Sequence, residues 1–190
     1  MKTKLLTIAL LSATMNSNVF ANEAISANVE EARNLVKMFG GQLKPELQKA
    51  MKSGGPVSAV EFCHARAPEI AQTVAEKSGW KVNRVSLKPR GATASPDAWE
   101  TEVLKRFDAE KTAGVEVKTM EFSEVVHDGA KTTFRYMKPL GTAEVCLVCH
   151  GTNLTEPVRQ AIAKYYPQDQ AMGFNKGDIR GAFSFSKAVN

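Results

Sequence analysis

The chain has 190 residues, a formal net charge of +5 and three cysteines. Apolar residues make up 43% of it, an ordinary globular composition that excludes a disordered or collagen-like protein. Three cysteines are too few for a disulfide-dense scaffold, and their number is odd. Acidic and basic residues are interspersed without a basic stripe, so we expect no binding to nucleic acid.

Residues 1–21 are predicted to be a signal peptide. Lys2 and Lys4 form a positive n-region, and residues 5–15 are a short apolar run. Small residues precede a cleavage point that we place after Ala21. A retained N-terminal anchor is the alternative, although the apolar run is short for a bilayer. Since no later apolar stretch is long enough to span a membrane, we expect an exported, periplasmic protein without a membrane span once the signal is removed.

Residues 22–190 are predicted to form a single domain that begins with helices, over residues 22–78. Apolar residues recur at three- and four-residue steps over residues 23–53, which is typical of a helix. Gly54-Gly55-Pro56 is a strong breaker, after which a second helix is predicted over residues 57–77. The apolar stripe of this second helix contains Val60, Cys63, Ala67, Ile70 and Val74.

Residues 79–190 are predicted to mix strands and helices. A short strand over residues 82–87 is followed by a helix with Ser95 as its N-cap and Pro96 in its first turn. Asp128-Gly129 predicts a hairpin turn between strands at residues 115–126 and 131–137, with a bulge in the first strand. A loop at residues 139–141, a helix over residues 157–166 and a half-buried strand over residues 179–186 follow. This order predicts the α+β class.

Cys146-Leu147-Val148-Cys149-His150 is the motif that carries chemistry. A Cys-x-x-Cys-His sequence indicates covalent attachment of a c-type haem. Two thiols three residues apart can bond to the two vinyl groups of one haem, and the adjacent histidine can bind the iron. Attachment of this kind takes place outside the bacterial cytoplasm, in agreement with the predicted export signal.

Two other interpretations of the motif are weaker. A redox disulfide of the thioredoxin type usually precedes a helix in a βαβ unit, and the surrounding pattern here is different. A zinc site would need two further ligands at useful spacing. We therefore expect one covalently attached haem c.

Spacing in the sequence does not decide which residue is the second axial ligand of the iron. Cys63 lies on the apolar stripe of its helix, whereas its neighbour His64 lies nearer the flank. A free cysteine is often only a small buried apolar residue. Cys63 can therefore be either an iron ligand or a part of the core. Competing ligands are Met120, Met137, Met172 and His127. A methionine in a core is more often filler than ligand, and His127 lies next to the predicted hairpin turn.

The sequence also resembles a family of single-haem c-type cytochrome domains with a PAS-like fold, catalogued largely as a domain of unknown function. The resemblance extends over most of residues 22–190 and depends on the order of several short motifs. They are Phe62-Cys63, Val85-Ser86-Leu87-Lys88-Pro89-Arg90, Pro96-Asp97-Ala98-Trp99-Glu100, Phe134-Arg135-Tyr136, Pro139-Leu140, Cys149-His150-Gly151, Tyr166, Asp169, Ala171, Gly173, Gly177-Asp178 and Arg180-Gly181-Ala182.

The resemblance implies helices packed on a PAS-like antiparallel sheet and His/Cys ligation of the haem iron. His150 is then the proximal ligand, and the cysteine of the early helix, here Cys63, is the distal one. The chain departs from the family in one loop, which often reads Arg-Asn-Pro and here reads Arg90-Gly91-Ala92. A binding role is therefore not transferred to this loop beyond Arg90.

A thiolate ligand stabilises ferric iron, so we expect a low reduction potential. Loss of the weaker ligand Cys63 on reduction would open the iron to carbon monoxide or nitric oxide, which predicts a redox or gas sensor. A low-potential electron carrier with a redox partner protein is the alternative. An enzyme such as a peroxidase is less favoured, because no distal acid–base cluster is present. The negative charge of the haem propionates could be neutralised by Arg84, Arg90 or Arg135. Each of them could instead be a solvated surface arginine.

Overall fold

The computed structural model describes the backbone of residues 16–189 and the side chains of residues 23–189. The n-region and apolar run of the predicted signal peptide, residues 2–15, lie outside the described residues. In chain order the elements are α1 (Asn16–Ser78), β1 (Lys81–Val85), α2 (Ala98–Thr112), β2 (Phe122–Asp128), β3 (Lys131–Gly141), α3 (Leu147–His150), α4 (Glu156–Tyr165) and β4 (Ile179–Ala188).

Helix α1 is divided in two by a kink at the predicted breaker. Gly55 has φ 69° and ψ −164°, a conformation that glycine adopts without steric cost. Pro56 is the first residue of the second half. Its missing N–H costs no hydrogen bond there, because the first N–H groups of a helix have no acceptor within the helix. We call residues 16–54 the N-terminal arm of α1 and residues 56–78 its C-terminal arm. The prediction of two helices separated at Gly54-Gly55-Pro56 is confirmed.

The four strands form one antiparallel sheet in the order β1-β4-β3-β2. Strands β2 and β3 are a hairpin in which Asp128 pairs with Lys131, as the Asp128-Gly129 signal predicts. Strand β4 lies between β1 and β3, with Arg84 opposite Phe183 and Tyr136 opposite Phe185. The last strand of the chain is therefore central in the sheet, and helices surround it, which confirms the α+β class.

Several predicted boundaries are wrong, and each has a local cause. Strand β2 begins only at Phe122, because tight turns precede it: Thr119 N–H donates to the Glu116 carbonyl and Met120 N–H to the Val117 carbonyl. The predicted loop at residues 139–141 belongs to β3, and the irregularity in the ladder lies there rather than in the first hairpin strand.

The N-terminus of α2 also differs from the prediction. Asp97, not Ser95, is the N-cap, and its carboxylate accepts from the Glu100 N–H at 2.8 Å. The Glu100 carboxylate in turn accepts from the Asp97 N–H at 2.8 Å. This reciprocal capping box satisfies two N–H groups at the helix end, and it outweighs the single hydrogen bond that Ser95 could offer.

The sheet is covered on both faces. One face packs against α1 through an aromatic core, made of Phe39, Trp80, Phe134, Tyr136, Phe183 and Phe185 with smaller apolar neighbours. The other face packs against α2 through Val85, Val103, Leu104, Phe107, Met120, Met137 and Ala182. Residues 181–185 of β4 are consequently all buried, whereas the alternating sequence predicts a half-buried strand.

A third cluster joins the C-terminal arm of α1 to α4. Val60 packs there against Leu154, Val158, Ala161 and Ile162. Cys149 borders the same cluster, as do Tyr165 and Tyr166 at the end of α4. This contact fixes the C-terminal arm beside the Cys-x-x-Cys-His segment. In the described part of the chain, no helix combines the length and the apolar character needed to cross a membrane.

Candidate functional site

The Cys-x-x-Cys-His motif forms a short 3-10 turn and helix α3. Cys146 ends the turn at residues 144–146, and Cys149 and His150 lie at the end of α3. Gly151 stops the helix, and a Cβ atom there would meet the Leu147 carbonyl oxygen at 2.6 Å. All three cysteines of the chain are free thiols and partly accessible. The two motif thiols therefore remain available for bonding to a ligand.

His150 is held in one orientation by the segment that precedes β4. Its Nδ1 lies 2.9 Å from the Ala171 carbonyl oxygen, which can only accept, so the proton is on Nδ1 and Nε2 carries a free lone pair. Phe174 N–H donates to the His150 carbonyl at 3.0 Å. Burial, and then the cations Arg90 and Arg180, hold the pKa of His150 well below its usual value. The imidazole is thus neutral and able to bind a metal.

The guanidinium group of Arg90 links the Cys-x-x-Cys-His segment to the segment that precedes β4. Its Nε donates to Asp169 at 3.0 Å, and its Nη2 donates to the carbonyl oxygens of Cys149 at 2.6 Å and Ala171 at 3.0 Å. The pair is well buried, with 13% of the Arg90 side chain and 4% of the Asp169 side chain exposed. The Ala171 carbonyl that orients His150 is therefore shared with Arg90, which makes Arg90 a positioning residue.

Cys63 reaches the same region from the C-terminal arm of α1. Burial raises the pKa of the Cys63 thiol, and the charges of Arg84, Arg180 and Arg90 act against that increase. The pKa of Cys149 is also raised by burial, with Arg90 lowering it and Cys63 among the groups that raise it. Helix α1 contacts α3, and Val60, three residues before Cys63, packs in the cluster that Cys149 borders. The structure therefore brings the part of α1 that carries Cys63 to the Cys-x-x-Cys-His segment, across a sequence separation of more than eighty residues.

The phenol of Tyr166 borders the same region at the end of α4. Burial, followed by the nearby Cys63, raises the pKa of Tyr166 to about 12, with Arg90 and Arg84 acting in the opposite direction. The Arg90 guanidinium carbon lies 5.9 Å from the Tyr166 ring centroid. A protonated, neutral tyrosine therefore lies beside Arg90, at the border of the cluster that joins α1 to α4.

Each competing ligand is either buried in the core or exposed to solvent. Met120 and Met137 are buried in the core under α2, where they fill space. His127 is exposed, with Nδ1 3.2 Å from the Thr132 hydroxyl, and 40% of the Met172 side chain is exposed. His64 is an exposed residue whose ring lies 5.2 Å from that of Tyr165 and 5.3 Å from that of Tyr166.

Among the described residues, no group of three or more His, Cys, Asp or Glu side chains could hold a metal ion.

The three arginines singled out from the sequence have different surroundings. Arg135 lies away from the motif, paired with Asp97 at 2.7 Å and stacked 4.1 Å above the Trp99 ring. Arg90 is occupied by Asp169 and two carbonyls, as described above. Arg84 lies close enough to Cys63 for the two groups to shift each other's pKa, and no described acidic residue pairs with it.

Sequence reasoning missed Arg180, Asp169 and Ala171 as functional candidates. All three occur in the short motifs that carry the family resemblance, but nothing in their spacing assigns them a role. Arg180 alternates with apolar residues of β4, which is the pattern of a solvated strand face. Only the crossing of β4 against β1 places it beside Arg84.

The comparisons with known proteins agree with this architecture. The model of the Tll0287-like family matches residues 9–187. The chain belongs to the Tll0287-like family. A crystal structure of the cyanobacterial heme-protein Tll0287 resembles it with a TM-score of 0.62 and 25% sequence identity, over 88% of this chain and 96% of the other. No curated protein matches the chain.

The Tll0287-like assignment confirms the resemblance to a haem-protein family of unknown-function domains. It extends from before α1 into β4, so that both the C-terminal arm of α1 and the Cys-x-x-Cys-His segment fall within the matched region. The two parts of the candidate site therefore belong to one family domain.

Proposed function

We propose that this chain is a periplasmic monohaem c-type haem protein that senses redox state or a gas through a labile His/Cys-ligated iron. Cys146 and Cys149 would hold the haem as thioethers, with His150 as proximal ligand and Cys63 as distal ligand. The proposal is supported by the motif, by the placement of its residues and by the likeness to the heme-protein Tll0287.

The observation that carries the proposal is the position of Cys63. The C-terminal arm of α1 packs on α4 through Val60, and Cys149 borders the same cluster. His150 donates its Nδ1 proton to Ala171 and keeps Nε2 free. A soft thiol and a neutral imidazole from separate elements, next to two further thiols, are the donor set that covalent haem with thiolate ligation requires.

The surroundings of the motif also fit a haem. Four of the eight large apolar side chains that are exposed among the described residues lie in the motif segment or in the two loops hydrogen-bonded to it: Leu87, Val145, Val148 and Met172. A porphyrin is a large apolar disc, and exposed apolar groups of this kind mark binding surfaces. Arg180 Nε is buried and has no hydrogen-bond partner among the described residues, which leaves a donor for an anionic group such as a haem propionate.

When bound, the haem supplies a one-electron Fe(III)/Fe(II) couple. As a thiolate, Cys63 would stabilise the ferric form and would lower the reduction potential. On reduction by a donor protein, Cys63 would become the weaker ligand and would take up a proton. Burial favours the neutral thiol, as the raised pKa of Cys63 indicates. Release of Cys63 would free one coordination position for carbon monoxide or nitric oxide.

A second candidate function is electron transfer with both ligands retained. The exposure of Val145 and Val148, at 65% and 38%, favours it, since these residues flank the thioether cysteines. An accessible haem edge is what transfer to a redox partner protein requires. Retention of Cys63 in the reduced state would support the carrier over the sensor.

The attachment is tested on the purified exported protein. The visible spectrum is expected to show a haem that acid–acetone extraction does not remove. The variant Cys146→Ser/Cys149→Ser is expected to lose this covalently held haem, while Cys63→Ser is expected to keep it. A haem that is extracted from the wild-type chain, or no haem at all, would overturn the proposal.

Ligation is tested by electron paramagnetic resonance of the ferric protein. The low-spin signal of the wild-type protein is expected to change in Cys63→Ala, because the thiolate ligand is lost. His64→Ala is the matched control, since His64 is the next residue of the same helix and is exposed. A signal that changes in the control and not in Cys63→Ala would assign the distal ligand to His64.

A further inference from the structure

Two arginines of the site come from neighbouring strands that touch closely. Arg84 is in β1 and Arg180 is near the start of β4, and the two strands pair in this region. Gly181 has φ 147°, and a Cβ atom there would collide with the Val85 carbonyl oxygen. Ser86 Oγ donates to the Arg180 carbonyl at 2.8 Å. The backbone that carries Arg84 and Arg180 is therefore held firmly in place.

Neither guanidinium group has an acidic partner in the part of the chain that the structure describes. Arg180 Nε is buried with no hydrogen bond among the described residues, and the Arg84 guanidinium carbon lies 5.2 Å from the ring centroid of Phe39. Every other arginine of the chain forms an ion pair with a described residue, namely Arg33, Arg66, Arg90, Arg106, Arg135 and Arg159. The lack of an acid is thus confined to Arg84 and Arg180.

Two neighbouring cations without an anion are costly inside a protein. Burial lowers the pKa of Arg84, and the neighbouring charge of Arg180 lowers it further. Buried charges are normally paired. The arrangement therefore calls for an anionic ligand, and the planar guanidinium fork matches carboxylates.

The position of the pair indicates which carboxylates these are. Six residues after Arg84 in the sequence, Arg90 donates to the Cys149 carbonyl. Six residues before Arg180, the Phe174 N–H donates to the His150 carbonyl. The chain that leaves β1 and the chain that enters β4 therefore both hold the Cys-x-x-Cys-His segment, and the arginine pair lies beside the proposed haem site. A haem carries two carboxylates, its propionates, and these match two unpaired guanidinium groups.

We propose that Arg84 and Arg180 together bind the two haem propionates. This inference rests on the proposed function, since it takes a covalent haem between Cys63 and His150 as given. The two cations neutralise the two carboxylates, and the rigid crossing of β1 and β4 fixes the rotation of the porphyrin about its thioether edge. The pair is distinct from Arg90, which positions His150 through Ala171.

The test compares resonance Raman spectra of the purified holoprotein variants Arg84→Met and Arg180→Met. The propionate-bending band is expected to move to lower frequency in each, since a hydrogen bond to a propionate is lost. The reduction potential is expected to fall in both, because an unpaired carboxylate favours ferric iron. Arg159→Met is the control, an exposed arginine of α4 whose removal should leave both measurements at wild-type values.

Two further variants keep the test decisive if a methionine variant does not fold. Arg84→Lys and Arg180→Lys keep the charge and lose the bidentate fork, so the band is expected to move less than in the methionine variants. A band that stays at its wild-type frequency in all variants would overturn the inference, even if the potential falls. That result with haem still covalently bound refutes the propionate site alone, whereas absence of covalent haem in the wild-type protein refutes the proposed function.

Discussion

At the scale of single residues, the site depends on carbonyl oxygens and charges that hold reactive groups in place. The Ala171 carbonyl accepts from both His150 Nδ1 and Arg90 Nη2. Asp169 accepts from the Arg90 guanidinium and from the Ala171 N–H at 2.9 Å. Backbone and side chain thus form one network around the imidazole. Such buried networks rigidify a site when each member is satisfied.

Removing Arg90 is expected to destabilise the protein strongly. In Arg90→Met the Asp169 carboxylate, with 4% of the side chain exposed, loses its counter-charge. An uncompensated buried charge costs about 3 kcal/mol, so the free energy of unfolding in guanidinium chloride should fall by about that amount. Arg159→Met removes an exposed ion pair and should change it by under about 1 kcal/mol. An Arg90→Met protein as stable as this control would refute the network.

At this scale the sequence predicts the reactive groups better than their neighbours. Cys146, Cys149 and His150 are recognisable because covalent attachment fixes their spacing in the chain. Cys63 is one of several possible ligands until the family resemblance is considered. Arg180 has no sequence signal, since its role depends on which strand lies beside β4. Long-range pairing of this kind is not encoded in local periodicity.

At the scale of elements, the crossing of β1 and β4 positions the arginine pair. Gly181 lets the two backbones approach, and Ser86 closes the contact through the Arg180 carbonyl. Helix α1 makes the second essential contact, because its kink at Gly55 lets the N-terminal arm cover the sheet while the C-terminal arm reaches α4.

Gly181→Ala is expected to separate β1 from β4. The new Cβ would collide with the Val85 carbonyl oxygen, and φ 147° disfavours any side chain. We expect a loss of about 3 kcal/mol in the free energy of unfolding. Gly40→Ala is the control, because Gly40 is helical and no atom lies within 4 Å of its added Cβ. That change should raise stability by up to about 1 kcal/mol. Equal melting temperatures for the two variants would contradict the close crossing.

Glu121 connects the N-terminal arm of α1 to the sheet and should make stability depend on acid pH. Its carboxylate accepts from Arg33 Nε at 3.1 Å and from the Tyr136 hydroxyl at 2.8 Å. The hydrogen bond from Arg33, chiefly, holds the pKa of Glu121 below its ordinary value of 4.5. A lowered carboxylate pKa gives stability that is present above the unfolded-state pKa and is lost as pH falls through the folded-state pKa.

The pH dependence is measured by denaturant unfolding at a series of pH values from neutral to below 4.5, the ordinary pKa of this carboxyl. Glu121→Gln should be less stable than the wild-type protein at neutral pH and should lose less stability in acid. Glu102→Gln, at an exposed carboxylate of α2, should keep the wild-type slope. A wild-type slope in Glu121→Gln would show that this carboxylate does not contribute.

The elements themselves are largely predictable where a strong local signal exists. The Gly-Pro breaker, the Asp128-Gly129 turn and the amphipathic segment of α4 all lie where the sequence places them. The errors arise where two local signals compete. Residues 115–121 have strand-like composition but form turns, and the capping box of Asp97 and Glu100 overrides Ser95. The burial of β4 on both faces depends on α1 and α2 together.

At the scale of the whole molecule, the fold places the helix that carries Cys63 against the segment that carries Cys146 and Cys149. The C-terminal arm of α1 packs on α4 through Val60, and its residues Ile70 and Val74 join the aromatic core over the sheet. A distal ligand carried on a helix can leave the iron without disturbing the thioether attachment. The proposed sensor therefore needs only a small movement of Cys63, with the rest of the domain unchanged.

Carbon monoxide binding should report on that movement. For the reduced wild-type protein, the observed rate in stopped flow is expected to increase in proportion to carbon monoxide concentration, because Cys63 has left the iron on reduction. A rate that levels off at high concentration would show that Cys63 is still bound and must dissociate first. In Cys63→Ala the rate should increase in proportion to concentration, since this position is open. His64→Ala should behave like the wild-type protein. Failure of the reduced wild-type protein to bind the gas would favour the electron carrier.

The most direct test of the account is a redox titration of the wild-type protein and Cys63→Ala, with the visible spectrum recorded at each potential. The account predicts a thiolate-ligated ferric spectrum, a change of ligand set on reduction, and a higher midpoint potential with an altered ferric spectrum in Cys63→Ala. Superimposable spectra and midpoint potentials for the two proteins would contradict the placement of Cys63 on the iron.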